Sequence, residues 1–343
     1  MADEKKETKG SQSFWKKFTS LNGSVVFLAM IAFMIIVEVV LQVGGIGVGE
    51  GLKFINMTNI MSILRGRTYI GIIAFGLTFV IITGNIDLSV GNMLTFLGCI
   101  CAGIMMDTGN GPLAVFGTIL LGAACGFVNG FLVSYVKLNS FITTLGASSI
   151  YGALALLYSK GKFLVVEQGK SPFFDWFGTA SIGPFSVLIF WFVVVAVVLG
   201  FVLSRTVFGK RIYAIGANPT AARFSGIRSK RDTLIAYIIT GTCAGLAAVI
   251  MIANVHSINP QSTSGLEMDI ILAIVLGGTS VLGGKGSVWG TIIGVLFTGV
   301  LSAGFTQVNI TTYVQWVIMG IIMVFALSLD VLKGRGVKLW KKK

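Results

Sequence analysis

The sequence predicts an all-α integral membrane protein with about ten transmembrane helices, on three observations. The 343 residues are 55% hydrophobic and 11% charged, with a mean hydropathy of +0.89, more apolar surface than a soluble globule can cover. The apolar residues gather into runs of about 20, long enough as helices to cross the hydrocarbon core of a bilayer. The 26 basic residues fall mostly between those runs, and mostly on one side of the topology the runs imply.

A basic tail, 1–23, comes first. Its five lysines, with no cleavage-like site, do not resemble a cleaved signal peptide, so a polar tail that stays in place is expected. Residues 24–330 form a single transmembrane domain, and 331–343 a second basic tail. The candidate spans are 24–43, 68–84, 88–106, 113–135, 140–158, 185–204, 233–253, 268–283, 288–305 and 310–329. Forty-five glycines suit helices packed closely in lipid, and the Gly-rich spans are candidates for broken helices. The connections are all shorter than about 30 residues, too short to bury a core alone. Residues 45–67 include NMTNIMSILR, which reads as an interfacial helix or as the lead-in to the second span. Residues 159–184 contain SPFFDWFG, where Phe173, Phe174, Trp176 and Phe177 beside Asp175 read as an aromatic anchor at the membrane surface.

With both termini in the cytoplasm, 20 basic residues lie inside. Six lie outside: Lys53, Arg65, Arg67, Lys160, Lys162 and Lys170. That bias favours an even number of spans. It also accounts for the net charge of +13 without nucleic acid, because the charges sit in tails and short loops. Cys99, Cys101, Cys125 and Cys243 fall in apolar runs and read as small buried hydrophobes. His256 is the only histidine, too little for a metal cluster or a Ser-His-Asp relay, and reads as a surface residue. No metal and no cofactor are expected.

GGKGS at Gly283–Ser287 superficially resembles a phosphate-binding loop. The Walker spacing puts Thr279 where the first Gly belongs and Gly286 where Ser or Thr should hold magnesium, so an ATPase is excluded. Among the acids only Glu38 lies well inside a span, and snorkelling to the interface is its expected role. With no acidic relay, nothing asks for a coupling ion.

Polar residues inside the spans, Asn129, Thr143, Thr144, Thr279 and Ser280, suggest a passage for a neutral polyhydroxylated solute, and no charged ring suggests ion selection. The turns Gly84–Asn92 and Gly283–Thr291 echo one another, as in transporters built from repeats. Asp87 and Lys285 would then lie at comparable depths, as parts of an inner gate. The candidate path and gate are Asn85, Asp87, Asn129, Phe141, Thr143, Thr144, Thr279, Ser280 and Lys285.

The loop 205–232 holds seven basic residues and a short helix signature. Asn218 can cap a helix start, Pro219 suits the first helical position, and Gly226 can end the helix in the left-handed region. Ala221, Ala222, Phe224 and Ile227 offer apolar contact, and Arg223 and Arg228 can pair with acidic groups. Such a shaped loop implies that something docks on it.

Four strings carry a resemblance: ITGNIDLSVGNM (82–93), GFVNGFLVSYVKLNSFITTLG (126–146), FGKRIYAIGANPTAARFSGI (208–227) and LEMDIILAIVLGGTSVLGGKGSVWGTIIG (266–294). Nearly the whole chain after residue 60 resembles the inner-membrane permease subunits of bacterial ATP-binding-cassette monosaccharide importers, in the ribose, xylose and galactose branch. Ser140 departs from the pattern, since relatives often carry Pro there. The resemblance implies a type II-importer-like permease in the bacterial cytoplasmic membrane, both termini cytoplasmic. It implies three partners: a second permease copy, with the path between the copies; a cytoplasmic ATPase subunit; and a periplasmic or lipid-anchored sugar-binding protein. It further implies that residues 218–227 (Asn218, Pro219, Ala221, Ala222, Arg223, Ser225, Gly226 and Ile227) form a helix that couples to the ATPase. Two alternatives stay open: the same scaffold carrying a nucleoside or signalling furanose, and an ion-coupled carrier working alone.

Overall fold

The computed structural model describes residues 22–44, 53–183, 185–261 and 265–334. The first 21 residues and those after Gly334, which hold nearly all the tail charges, lie outside the described residues. Among the described residues eight helices are long and apolar enough to cross a membrane. They are α1 (Asn22–Val43), α2 (Met57–Ile82), α3 (Val90–Thr108), α4 (Gly111–Ser134), α5 (Ser140–Ser159), α7 (Val187–Arg205), α10 (Ser229–Val255) and α12 (Val288–Gln307). Between them lie α6 (Pro172–Thr179), α8 (Val207–Ala217), α9 (Pro219–Phe224) and α11 (Leu266–Leu276), and α13 (Thr312–Gly334) comes last.

The core is built on α2 and α10. Every residue from Ile70 to Ile82 is buried, so α2 is apolar on all sides because it is surrounded on all sides. The α4–α10 contact is the most extensive between two elements, and glycine makes it possible. A Cβ on Gly122 would collide with the carbonyl oxygen of Gly241, and one on Gly126 with that of Tyr237. With those side chains absent the two backbones touch, which is how helices gain packing energy where no hydrophobic drive separates protein from lipid.

Five expectations need correction. The second span does not start at 68. Asn56 caps a helix that begins at Met57, its side chain accepting from the Asn59 N–H at 2.8 Å. NMTNIMSILR is therefore the lead-in to the span, and Arg65 and Arg67 belong to α2 rather than to a loop. The eighth span does not run from 268 to 283. It is the eleven-residue α11, about 16 Å long, which stops at Gly277. A Cβ there would strike the carbonyl of Gly290 on α12. Residues 277–287 continue as an irregular loop with Gly278, Gly283 and Gly284 at positive φ.

Glu38 does not snorkel. It is 6% exposed, and its carboxylate accepts the backbone N–H groups of Lys53, Phe54 and Ile55 at 2.7–2.9 Å together with the Gln42 amide. It thus holds the turn that leads into α2. The SPFFDWFG segment is only half a surface anchor. Phe173 and Trp176 are exposed on α6, but Phe174 and Phe177 turn inward, Phe177 stacking on Trp191 at 5.0 Å.

Two ribbons complete the fold. β1 (Leu164–Val165) pairs antiparallel with β4 (Ser257–Ile258), and β2 (Ser181–Ile182) with β3 (Phe185–Ser186). The helix α10 therefore runs from α9 at one end of the molecule to the β1–β4 ribbon at the other. His256, at the ribbon end, lies 3.0 Å from Asp175 and is half-buried rather than a free surface residue. The four cysteines are buried and unbridged.

Candidate functional site

The helix signature in the 205–232 loop folds locally. The Asn218 side chain accepts from the Ala221 N–H at 3.0 Å, and Pro219 follows at the first helical position, where no N–H is missed. The turn closes through the Gly226 N–H on the Arg223 carbonyl and the Ile227 N–H on the Ala222 carbonyl, with Gly226 at φ 78°. Of its apolar residues only Ala222 faces inward, at 4% exposure. Phe224 stands out at 87%, beside the exposed Ala221 and Arg223, while Ile227 is half-buried. The free contact surface is thus Ala221, Arg223 and Phe224, and Ala222 belongs to the packing beneath.

What lies beneath is α8, an element the sequence reading did not isolate. Thr206 caps it, accepting from the Gly209 N–H. Gly216, near its end, presses on the main chain at the end of α2 and in the second Gly-rich turn: a Cβ there would collide with the Ile82 carbonyl and the Gly284 nitrogen. These two places also join each other, the Gly284 N–H donating to the Ile82 carbonyl at 2.8 Å. The Tyr213 hydroxyl adds a bond to the Gly286 carbonyl at 2.7 Å. The α9 helix, α8, the end of α2 at Ile82 and the loop ahead of α12 thus form one run of contacts.

Of the candidate path and gate residues, three come together. Asp87 is fully buried, and its Oδ1 accepts from the Ser89 N–H at 2.9 Å and the Ser89 hydroxyl at 2.6 Å. Asn129 donates to the Ser89 hydroxyl at 2.8 Å and accepts from Tyr151. Thr144 accepts from the Leu88 N–H at 3.0 Å. This network stitches the 83–89 turn to α4 and α5. Burial pushes the Asp87 carboxyl above the usual carboxylate range, against the opposing Ser89 bonds, and its Oδ2 has no partner.

The others lie apart. Lys285 is exposed, and neither ion pair among the described residues involves it or Asp87. Ser280 and the Val281 N–H both donate to Asp330, tying the 277–287 loop to α13. Thr279 is buried with its hydroxyl unpartnered. Asn85 donates to Thr83, Thr143 to the Asn139 carbonyl, and Phe141 is exposed.

The sequence reading missed a polar cavity at the opposite end of α2. It has a volume of about 470 Å³, between α2, α11 and α12. Across it Arg67 Nη1 lies 3.9 Å from Asp269 Oδ2. One signal was available: an arginine adjoining an apolar run is a residue lipid does not tolerate without a purpose.

Comparison with known proteins agrees with this architecture. Residues 59–327 match the family described as "Branched-chain amino acid transport system / permease component". The chain is 36% identical over 278 residues to the ribose import permease protein of Bacillus subtilis, covering 81% of this chain and 86% of that one. It is 36% identical over 279 residues to the D-allose transport system permease protein of Escherichia coli, covering 81% and 84%. It is 31% identical over 284 residues to the autoinducer 2 import system permease protein of Salmonella paratyphi B, covering 81% and 80%. No solved structure matches the chain.

Proposed function

The chain belongs to the branched-chain amino acid transport system / permease component family, and from that premise we propose that it is the membrane-spanning subunit of an ATP-driven importer for a monosaccharide, a ribose-like pentose or a galactose-like hexose. The importer sits in the bacterial cytoplasmic membrane, with α8, α9 and both termini on the cytoplasmic side. A second copy of the chain completes the path. A separate ATPase subunit docks on α9, and a binding protein delivers the sugar at the opposite face. The relatives named for ribose and allose support a monosaccharide cargo.

One observation carries the reading. A short capped helix presents Phe224 and Arg223 outward while the layer behind it touches the main chain at the end of α2 and in the loop ahead of α12. A nucleotide bound elsewhere can shift the inward–outward equilibrium only by favouring one state over the other. The α9 surface gives it a grip. The α8 contacts carry displacement with little loss, because backbone against backbone has no side-chain rotamers to absorb it. The chain itself hydrolyses nothing.

The test is sugar-stimulated ATP hydrolysis by the complete complex. Phe224→Asp and Arg223→Glu are expected to abolish the stimulation while leaving the permease monodisperse in detergent. Stimulation equal to the parent's in both variants would remove α9 as the docking element. A signalling furanose is the second reading, favoured by the likeness to the autoinducer 2 permease, and competition between that solute and D-ribose for uptake separates the two.

A further inference from the structure

The cavity beside Arg67 lies at the end of α2 away from α9, and its chemistry is unusual for its place. Arg67 lies ten residues into α2, about 15 Å along the helix. A guanidinium there is costly unless it is paired and its donors are used. Its side chain is only 12% exposed, yet its contact with Asp269, at 3.9 Å, is longer than a hydrogen bond. Arginine carries five N–H donors, and among the described residues none is hydrogen-bonded to protein. Gly299 on α12 makes room for the stem, since a Cβ there would sit 2.8 Å from Arg67 Cγ. The arginine is therefore packed into place with its donors left over.

The rest of the lining matches. Asn59, Ser302, Thr306 and Gln307 bring amides and hydroxyls, and the ring of Tyr69 forms part of the wall. Asn59 and Thr306 are engaged, Asn59 accepting from the Gln307 amide at 3.0 Å and donating to the Phe54 carbonyl, and Thr306 donating to the Ser302 carbonyl and accepting from Gln315. The capacity left to a ligand therefore lies with Arg67, the Ser302 hydroxyl and the Gln307 side-chain carbonyl. The volume of about 470 Å³ falls in the range of roughly 300–1,000 Å³ usual for small-molecule sites. The lining offers both donors and acceptors, and the charged pair sums to zero. That favours a ligand offering hydroxyls that both donate and accept, and disfavours an anion, which would face Asp269.

We propose that this cavity is a binding site for a neutral polyhydroxylated solute within each permease copy, with the Arg67–Asp269 pair as its recognition centre. The solute class rests on the monosaccharide reading above. In the orientation given there the cavity lies toward the outer half of the membrane domain, where a sugar released by the binding protein arrives. Arg67 donates to one hydroxyl, and Asp269 accepts from its neighbour. A vicinal diol bridges the gap that the two side chains leave between them.

Ser302→Cys, in a chain whose own cysteines are all buried, gives the readout: its labelling rate by a membrane-impermeant maleimide, in the full complex in nanodiscs. D-ribose is the probe. At ten times its dissociation constant a sugar in the cavity slows labelling about tenfold, and Asp269→Asn removes that protection. Gln307→Ala, which leaves the ion pair alone, weakens it. Labelling of Lys162→Cys on an exposed turn stays constant. Ribose import at the parent rate with no protection of Ser302→Cys overturns the site and leaves the importer reading standing. So does a Ser302→Cys that never reacts, since the cavity would then be closed to solute. Failure of the parent complex to import any aldopentose or aldohexose removes the monosaccharide reading itself, and with it the solute class named for the cavity.

Discussion

The two ends of the membrane domain are held together by different physics. At the end bearing α9 the contacts are main chain on main chain: Gly216 against Ile82 and Gly284, and Gly284 bonded to Ile82. At the opposite end the contacts are charged. Glu38 gathers three backbone N–H groups, Arg67 faces Asp269, and Asp175 faces His256. Around Gly216 the first end should therefore respond to added volume more than to charge, and around Glu38 and Arg67 the other end to charge more than to volume. The difference suits a division of labour. A junction that passes on movement must be stiff, and stiffness comes from close packing. A region that receives a polar solute must keep polar groups oriented, and charged hydrogen bonds do that.

The largest effect expected is Gly216→Val. The new side chain has no space between Ile82 and Gly284, and overpacking of this kind costs about 1–3 kcal/mol. Uptake should fall to background, with stimulation of the ATPase lost as well. A variant with normal uptake would show that the seam yields and that stiffness is not its purpose. Next is Glu38→Gln at the other end. It keeps the shape but loses the charge, and a hydrogen bond to a charged group is worth about 1.5–3 kcal/mol. A fall in the detergent melting temperature of the purified chain is expected, and an unchanged midpoint would sink the charge argument there.

The smallest effect is Asp87→Asn, at the seam end, and it has the opposite sign. The Asp87 carboxyl is raised by burial, so its contribution to stability is fully present below the unfolded value and is lost as pH rises through the folded value. Above that point the parent carries a buried charge that the asparagine lacks. The variant should melt at or above the parent at neutral pH, with the gap closing in acid. A variant that is less stable at neutral pH would show that the fold needs the Asp87 charge.

How much of this could be read from sequence differs by residue. The α9 cap was legible because Asn218, Pro219 and Gly226 act on neighbours a few positions away. The spans were legible from apolar runs, but the start of α2 was not. Arg65 and Arg67 break the run, and only Asp269, two hundred positions later, explains why one of them is tolerated. Glu38 failed for the same reason, since its partners are backbone groups fifteen to seventeen residues on, invisible to any side-chain pattern. α8 was missed because an eleven-residue helix is too short to stand out as a span and lies among basic residues, although its apolar residues keep a helical period. Asn129 and Thr144 stood out as polar residues in spans, but the choice between lining a path and tying a turn required their partners, Ser89 and the Leu88 N–H.

A seam made of main chain carries no side-chain vocabulary. Nothing in the Gly216–Ile82–Gly284 junction distinguishes one cargo or one motor from another. On the proposed reading, recognition of the motor is written on the outward surface of α9, and the polar lining that would recognise a solute sits at the far end of α2. The two can therefore change independently, by drift or by design, so long as the glycine junction between them is left alone. A chimaera that exchanges the α9 surface with that of a relative should change its motor without changing what it carries.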